Sequence, residues 1–112
     1  MFALKQGTII AEGLRIVGSV KGESAVEIMG QVEGELHCGS LVISHEAHIK
    51  GPVQADDVIV DGKVEGPIQG RTVILQSRAH AVGDIRHQSL AIENGAFFDG
   101  RSVRVQGNGQ PL

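Results

Sequence analysis

The sequence predicts an all-β, single-domain parallel β-helix, a triangular β-solenoid of about six rungs. Three observations carry this: a Gly-centred unit of five residues that returns six times, a short aliphatic segment between successive units, and a near absence of aromatic residues.

The unit reads apolar-x-Gly-x-apolar. It runs Ile16-Val17-Gly18-Ser19-Val20, Val32-Glu33-Gly34-Glu35-Leu36, Ile49-Lys50-Gly51-Pro52-Val53, Val64-Glu65-Gly66-Pro67-Ile68 and Ala81-Val82-Gly83-Asp84-Ile85. A sixth copy, Phe98-Asp99-Gly100-Arg101-Ser102, ends on a polar residue. Successive glycines are 16, 17, 15, 17 and 17 residues apart. Six copies at this spacing imply six rungs.

Between the units lie Val26-Glu27-Ile28, Leu41-Val42-Ile43, Val58-Ile59-Val60, Val73-Ile74-Leu75 and Leu90-Ala91-Ile92. Their alternation and β-branched content predict short strands, and nothing sustains a helical stripe. The uneven steps arise in the links that follow these segments. Ile28 to Val32 and Val60 to Val64 are tight corners, with Gly30 and Gly62 in the middle. Ile10 to Ile16, Ile43 to Ile49, Leu75 to Ala81 and Ile92 to Phe98 are wider and mostly polar.

A strand–turn unit of this length cannot bury its own apolar face, and it lacks the dozen or more crossover residues that a βαβ fold needs. Coiling solves the problem. Each unit then lies on the one before at a strand spacing of about 4.8 Å, and six rungs make a rod of roughly 29 Å.

Composition agrees. With 112 residues, 41% apolar, the chain fits one domain, and with three Phe and no Trp or Tyr its core must be Val, Ile, Leu and Ala. The net charge of −3, without a Lys/Arg cluster or stacking aromatics, argues against nucleic acid as a partner. Cys38 has no disulfide partner, no secretory leader is evident and no stretch is long and apolar enough to span a bilayer, so a cytoplasmic protein is expected.

Neither an enzyme nor a cofactor site is expected. Five histidines, His37, His45, His48, His80 and His87, raise the possibility of a metal, but His48 and His80 fall on equivalent positions two rungs apart, about 10 Å, too far for shared coordination. They are read as exposed corner residues. The steps also miss the strict 18-residue coil of trimeric hexapeptide-type enzymes, and no phosphate-binding Gly-Lys-Ser/Thr loop is present. Glu33, Glu65 and Asp99 should share one outward column with Val17, Lys50 and Val82, a solvated face rather than an acid/base pair. Cys38, at the position of Gly22, Ala55 and Gly70, is read as filling a small corner space.

The Gly-centred rhythm from about Thr8 to Val105 resembles the bactofilin family. So do the phrases Gly13-Leu14-Arg15-Ile16, Val60-Asp61-Gly62-Lys63-Val64-Glu65-Gly66 and Ser89 through Gly100. The resemblance implies a right-handed β-helix and polymerisation into filaments without nucleotide or small-molecule substrate. It also implies a scaffold in bacterial cell shape or division, at the cytoplasmic face of the inner membrane. The expected partners are other copies of the chain, the inner-membrane lipid surface and cell-wall-modifying enzymes. A closed-oligomer solenoid enzyme and a monomeric binding module remain open at this point.

The expected division is a short N-terminal segment (1–7), the β-helix (8–105) and a tail (106–112). Neither flank reads as a polar cap, so both end rungs should be free to stack. Ile10 and Ile16 at one end, and Leu90, Ile92, Phe97 and Phe98 at the other, are the expected polymer interface. Phe98 aligns with Ile49 and Ala81 and should point inward; Phe97 aligns with His48 and His80 and should point outward. Met1, Phe2, Leu4 and Lys5 are the expected membrane contact, a weak anchor that a filament would repeat many times.

Overall fold

In the computed structural model, which describes residues 8–10, 12–22 and 25–104, the chain coils into six three-sided rungs, five turn-to-turn steps. The first rung is β1 (Thr8–Ile10), β2 (Arg15–Val17) and β3 (Val20–Lys21). The second is β4 (Ala25–Ile28), β5 (Gln31–Glu33) and the first half of β6 (Leu36–Ile43). The rest of β6, β7 (His48–Lys50) and the first half of β8 (Val53–Val60) make the third. The fourth is the rest of β8, β9 (Lys63–Glu65) and β10 (Ile68–Gln69). Then follow β11 (Thr72–Leu75), β12 (His80–Val82) and β13 (Ile85–His87). The last rung is β14 (Ser89–Ile92), β15 (Phe97–Asp99) and β16 (Ser102–Arg104).

Every pairing is parallel and joins one rung to the next in the register that the repeat predicts: Val32 pairs with Ile49, Ile49 with Val64, Val64 with Ala81 and Ala81 with Phe98. We call the side that begins each rung the first face, the Gly-unit side the second, and the side after it the third. The first and third faces form one continuous sheet, because β6 and β8 run through the corner between them unbroken. This differs from the expectation of three separate short strands per turn.

The core is four aliphatic columns. Ile10, Ile28, Ile43, Val60, Leu75 and Ile92 make one, and Val26, Leu41, Val58, Val73 and Leu90 the next. The others run from Ile16 to Phe98 and from Val20 through Leu36, Val53, Ile68 and Ile85 to Ser102. Their middle members, Ile28, Ile43, Val60 and Leu75 among them, are 0% exposed. Burial of this kind stabilises by about 1.5–3 kcal/mol for each such side chain.

The repeat glycine has a local cause. At Gly34, Gly51, Gly66, Gly83 and Gly100 the backbone takes φ of +128 to +151, and a Cβ would run into the carbonyl of the glycine one rung below. The corner therefore requires glycine for both conformation and rung spacing.

Candidate polymer interface

The last rung continues all four core columns without covering them. Ile92 is 50% exposed, whereas Leu75 beneath it is 0% exposed. Leu90 and Phe98 are half-buried and pack on the core. Phe98 points inward over Ala81, the smallest member of its column, which leaves room for a ring. The backbone of this rung is also open: Gly83 and Ile85 donate to the carbonyls of Asp99 and Arg101 at 2.9 and 2.8 Å, but no described residue accepts from Gly100 or Ser102.

Phe97 faces outward, 49% exposed, and leans on the His80 ring with centroids 4.5 Å apart. Two further side-chain ties hold the last rung down. Arg101 Nη2 donates to Asp84 Oδ2 at 2.9 Å, and the His87 Nε2–Ser102 Oγ hydrogen bond is 2.6 Å long. Asp84 is held below the usual carboxylate range, first by the Arg101 side-chain bond and then by its backbone N–H.

The first rung is built differently. Ile10, expected on the stacking surface, is 3% exposed and belongs to the core column; Ile16 is half-buried. Its exposed aliphatic residues lie on the outside instead: Ile9 at 64%, Leu14 at 51% and Val17 at 73%. Met1, Phe2, Leu4 and Lys5 lie outside the described residues.

The outward charges form a solvated ladder. Arg15 pairs with Glu33 one rung on at 2.6 Å, and His48 with Glu65 at 2.9 Å. Each carboxyl is lowered first by its hydrogen bond to that partner. One histidine departs from the expected pattern. His87 is 8% exposed with Nδ1 unpartnered, and burial, then Arg104, pushes its pKa down. It follows Gly22, Cys38, Ala55 and Gly70 along an inward corner position, which four small residues had marked as a space filler. Burial pushes the Cys38 thiol up to about 11, so it is protonated and unreactive at neutral pH. Among the described residues no His/Cys/Asp/Glu cluster could hold a metal, and no helix is long and apolar enough to cross a membrane.

Three comparisons bear on this geometry. The profile of a family described as "Bactofilin: Polymer-forming cytoskeletal" matches residues 8–103. Bactofilin BacP of Myxococcus xanthus (strain DK1622) is 33% identical over 96 residues, 84% of this chain; the chain spans 40% of that relative's length. The solid-state NMR structure of the cytoskeletal bactofilin BacA superposes with a TM-score of 0.83 at 39% identity, covering 91% of this chain and 99% of the other. The bactofilin of Thermus thermophilus, reconstructed as double helical filaments, gives 0.76 at 27% identity over 87% and 98%. These relatives are structural proteins of the cytoskeleton and not solenoid enzymes. The six-rung coil and these matches lead to one assignment: the chain belongs to the bactofilin family of polymer-forming cytoskeletal proteins.

Proposed function

We propose that the chain polymerises end to end, without nucleotide or metal, into filaments that line the cytoplasmic face of the inner membrane. There it acts as a scaffold for cell shape or division and a platform for cell-wall-modifying enzymes. The observation that carries the end-to-end step is the last rung, where Ile92, Leu90 and Phe98 leave the core columns open. Stacking a further rung there buries apolar area and gives the N–H groups of Gly100 and Ser102, which no described residue accepts from, a strand to pair with. The interface takes in Leu90, Ile92, Phe97 and Phe98 at this end and the rung of Ile10 and Ile16 at the other. As in the T. thermophilus relative, the filaments pair.

Purified protein should sediment as filaments in buffer containing EDTA; a strict requirement for ATP, GTP or Zn²⁺ would falsify autonomous assembly. Residues 1–5 attach the polymer to lipid. Deleting them should abolish co-sedimentation with liposomes and leave filaments intact, whereas lipid binding equal to that of the full chain would place the anchor elsewhere.

A further inference from the structure

One buried side chain belongs neither to the four core columns nor to the outward charge ladder. The inward corner position between the third and first faces holds Gly22, Cys38, Ala55 and Gly70 on successive rungs, then His87 on the fifth and Arg104 on the sixth. His87 is 8% exposed, its Nε2 shares a 2.6 Å hydrogen bond with Ser102 Oγ, and its Nδ1 has no partner. The neutral ring suits this site: with Nε2–H donating to Ser102, Nδ1 presents only a lone pair. A second proton would make Nδ1 a donor with no acceptor in reach, and a buried unsatisfied donor is costly.

The surroundings add to that cost. Arg104 of β16 is the register partner above, and after burial it is what disfavours the charged ring. Below, β10 is followed by Gly70, where a Cβ would meet the Ala55 carbonyl oxygen and the side chains of Val58 and Val73, so that side is largely apolar. The neighbouring strands of the first face, β11 and β14, bring no titratable side chain. Arg86, beside His87 in β13, points outward, and Arg71 and Asp56 are exposed at the same corner on the rungs beneath. Among the described residues no carboxylate bonds to the ring.

We propose that His87 and Arg104 form a proton switch for end-to-end assembly: a further rung stacks on the last one while His87 is neutral, and acid releases it. The inference rests on the polymer reading of the last rung. Before stacking, Ser102 and Arg104 are exposed, so Arg104 is free to turn into water and away from a protonated His87. A stacked rung covers both. Two positive charges then share one corner column without a carboxylate between them, in surroundings where charge is poorly screened. The filament therefore binds fewer protons at His87 than the free subunit does. By linkage, assembly is fully favourable above the ordinary histidine value of 6.5 and weakens as pH falls through the lower value of the free subunit. The other histidines are placed where a charge meets water: His37, His45 and His80 are exposed, and His48 is half-buried on the second face. Cys38, in the same corner column, stays protonated throughout this range, with its pKa raised to about 11.

The critical concentration for filaments, measured between about pH 8 and about pH 5.5 at constant ionic strength, tests the switch. Filaments are scored by negative-stain microscopy, so that amorphous precipitate is not counted. The wild-type threshold should rise below about pH 6.5, by up to about tenfold per pH unit for one proton, and should fall again when pH is restored. His87→Gln should hold the threshold level across the range. If Gln does not fold there, His87→Ala, which places the residue that the column carries at Ala55, makes the same test. His80→Gln, on the same rung but outward, should respond as the wild type does. Circular dichroism of the released subunits at room temperature should stay β-rich. A level wild-type threshold, a rise that the His87 variants keep or that His80→Gln abolishes, or loss of the β signal together with the filaments would overturn the proposal. Absence of filaments at about pH 8 would remove end-to-end assembly itself, and the switch with it.

Discussion

The two end rungs of the rod expose apolar surface in different directions. On the first, Ile9, Leu14 and Val17 lie outside while Ile10 is 3% exposed. On the last, Phe97 also lies outside, but Ile92, Leu90 and Phe98 expose members of the core columns themselves. Scattered outward hydrophobic residues are ordinary on protein surfaces. An open column end, framed by N–H groups that no described residue accepts from, is a site for a further rung. Both ends cut across the core, since Ile16 and Val20 are half-buried like Leu90 and Phe98. Ile10, however, is 3% exposed where Ile92 is 50% exposed, so the comparison gives the last rung the larger share of the drive for assembly.

Matched substitutions break the comparison most sharply. Phe98→Asp should block stacking, because an unpaired carboxylate trapped between apolar rungs costs on the order of several kcal/mol, enough to raise the assembly threshold more than about a hundredfold. β-rich circular dichroism should persist in a small soluble species. Val17→Asp, at a more exposed aliphatic residue of the first rung, should leave the threshold nearly unchanged. Equal effects in sedimentation assays would erase the distinction between the ends.

Glycines give the next largest effect, measured as unfolding free energy by urea titration in the non-polymerising Phe98→Asp background. At Gly66 a Cβ would lie 2.5 Å from the Gly51 carbonyl oxygen at a φ of +140, whereas at Gly18 on the first rung, φ +130, nothing lies within 4 Å. Gly18→Ala should cost only backbone strain, about 1–3 kcal/mol, and Gly66→Ala more than about 3 kcal/mol. Similar losses would mean that conformation alone, and not rung spacing, demands the glycine.

A smaller effect separates the ends by pH. His87 sits one rung below the open end, and its pKa is lowered from 6.5 by burial and Arg104. Above that value both folded and unfolded states hold it neutral. As pH falls below 6.5 the unfolded chain takes up a proton that the folded chain resists, so stability should decline. The lowered carboxyls of Glu33, Glu65 and Asp84 contribute stability that is lost only in a more acidic range, as pH falls past their ordinary values of 4.5 and 3.8. Thermal melts between about pH 8 and about pH 5.5 should show the decline, and His87→Gln should flatten it. A slope unchanged by that substitution would clear His87 of the effect. Smallest of all, Arg15→Gln removes an ion pair whose side chains are 61% and 33% exposed. The melting temperature should barely move, and any change should vanish in high salt.

Repetition made much of this fold legible in the sequence. A five-residue unit recurring six times aligns its members, so Phe98 could be set on Ala81 and Phe97 on His80 before any coordinates, and both register pairs hold. What repetition conceals is a position whose chemistry changes along the rod. His87 follows Gly22, Cys38, Ala55 and Gly70, so it read as one more polar corner although its column faces inward. In Leu41-Val42-Ile43 and Val58-Ile59-Val60 all three residues are apolar, and such runs do not announce that their middle member points outward. Aligning the runs by rung exposes the stripe of Val42, Ile59 and Ile74. Ile10 was out of reach for another reason: an end residue in a core column reads as open until its own exposure is known.

Hydrogen exchange on the polymer tests the central claim most directly. If filaments grow on the open core of the last rung, the amides of Gly100 and Ser102, which no described residue accepts from, gain partners on assembly. Their exchange, and that of β14 to β16, should slow in filaments relative to the Phe98→Asp species. The middle rungs, including Val58, Val73 and Leu75, are already paired and should exchange alike in both. Exchange at Gly100 and Ser102 as fast in filaments as in the soluble species would contradict the account and move the polymer contact away from the last rung.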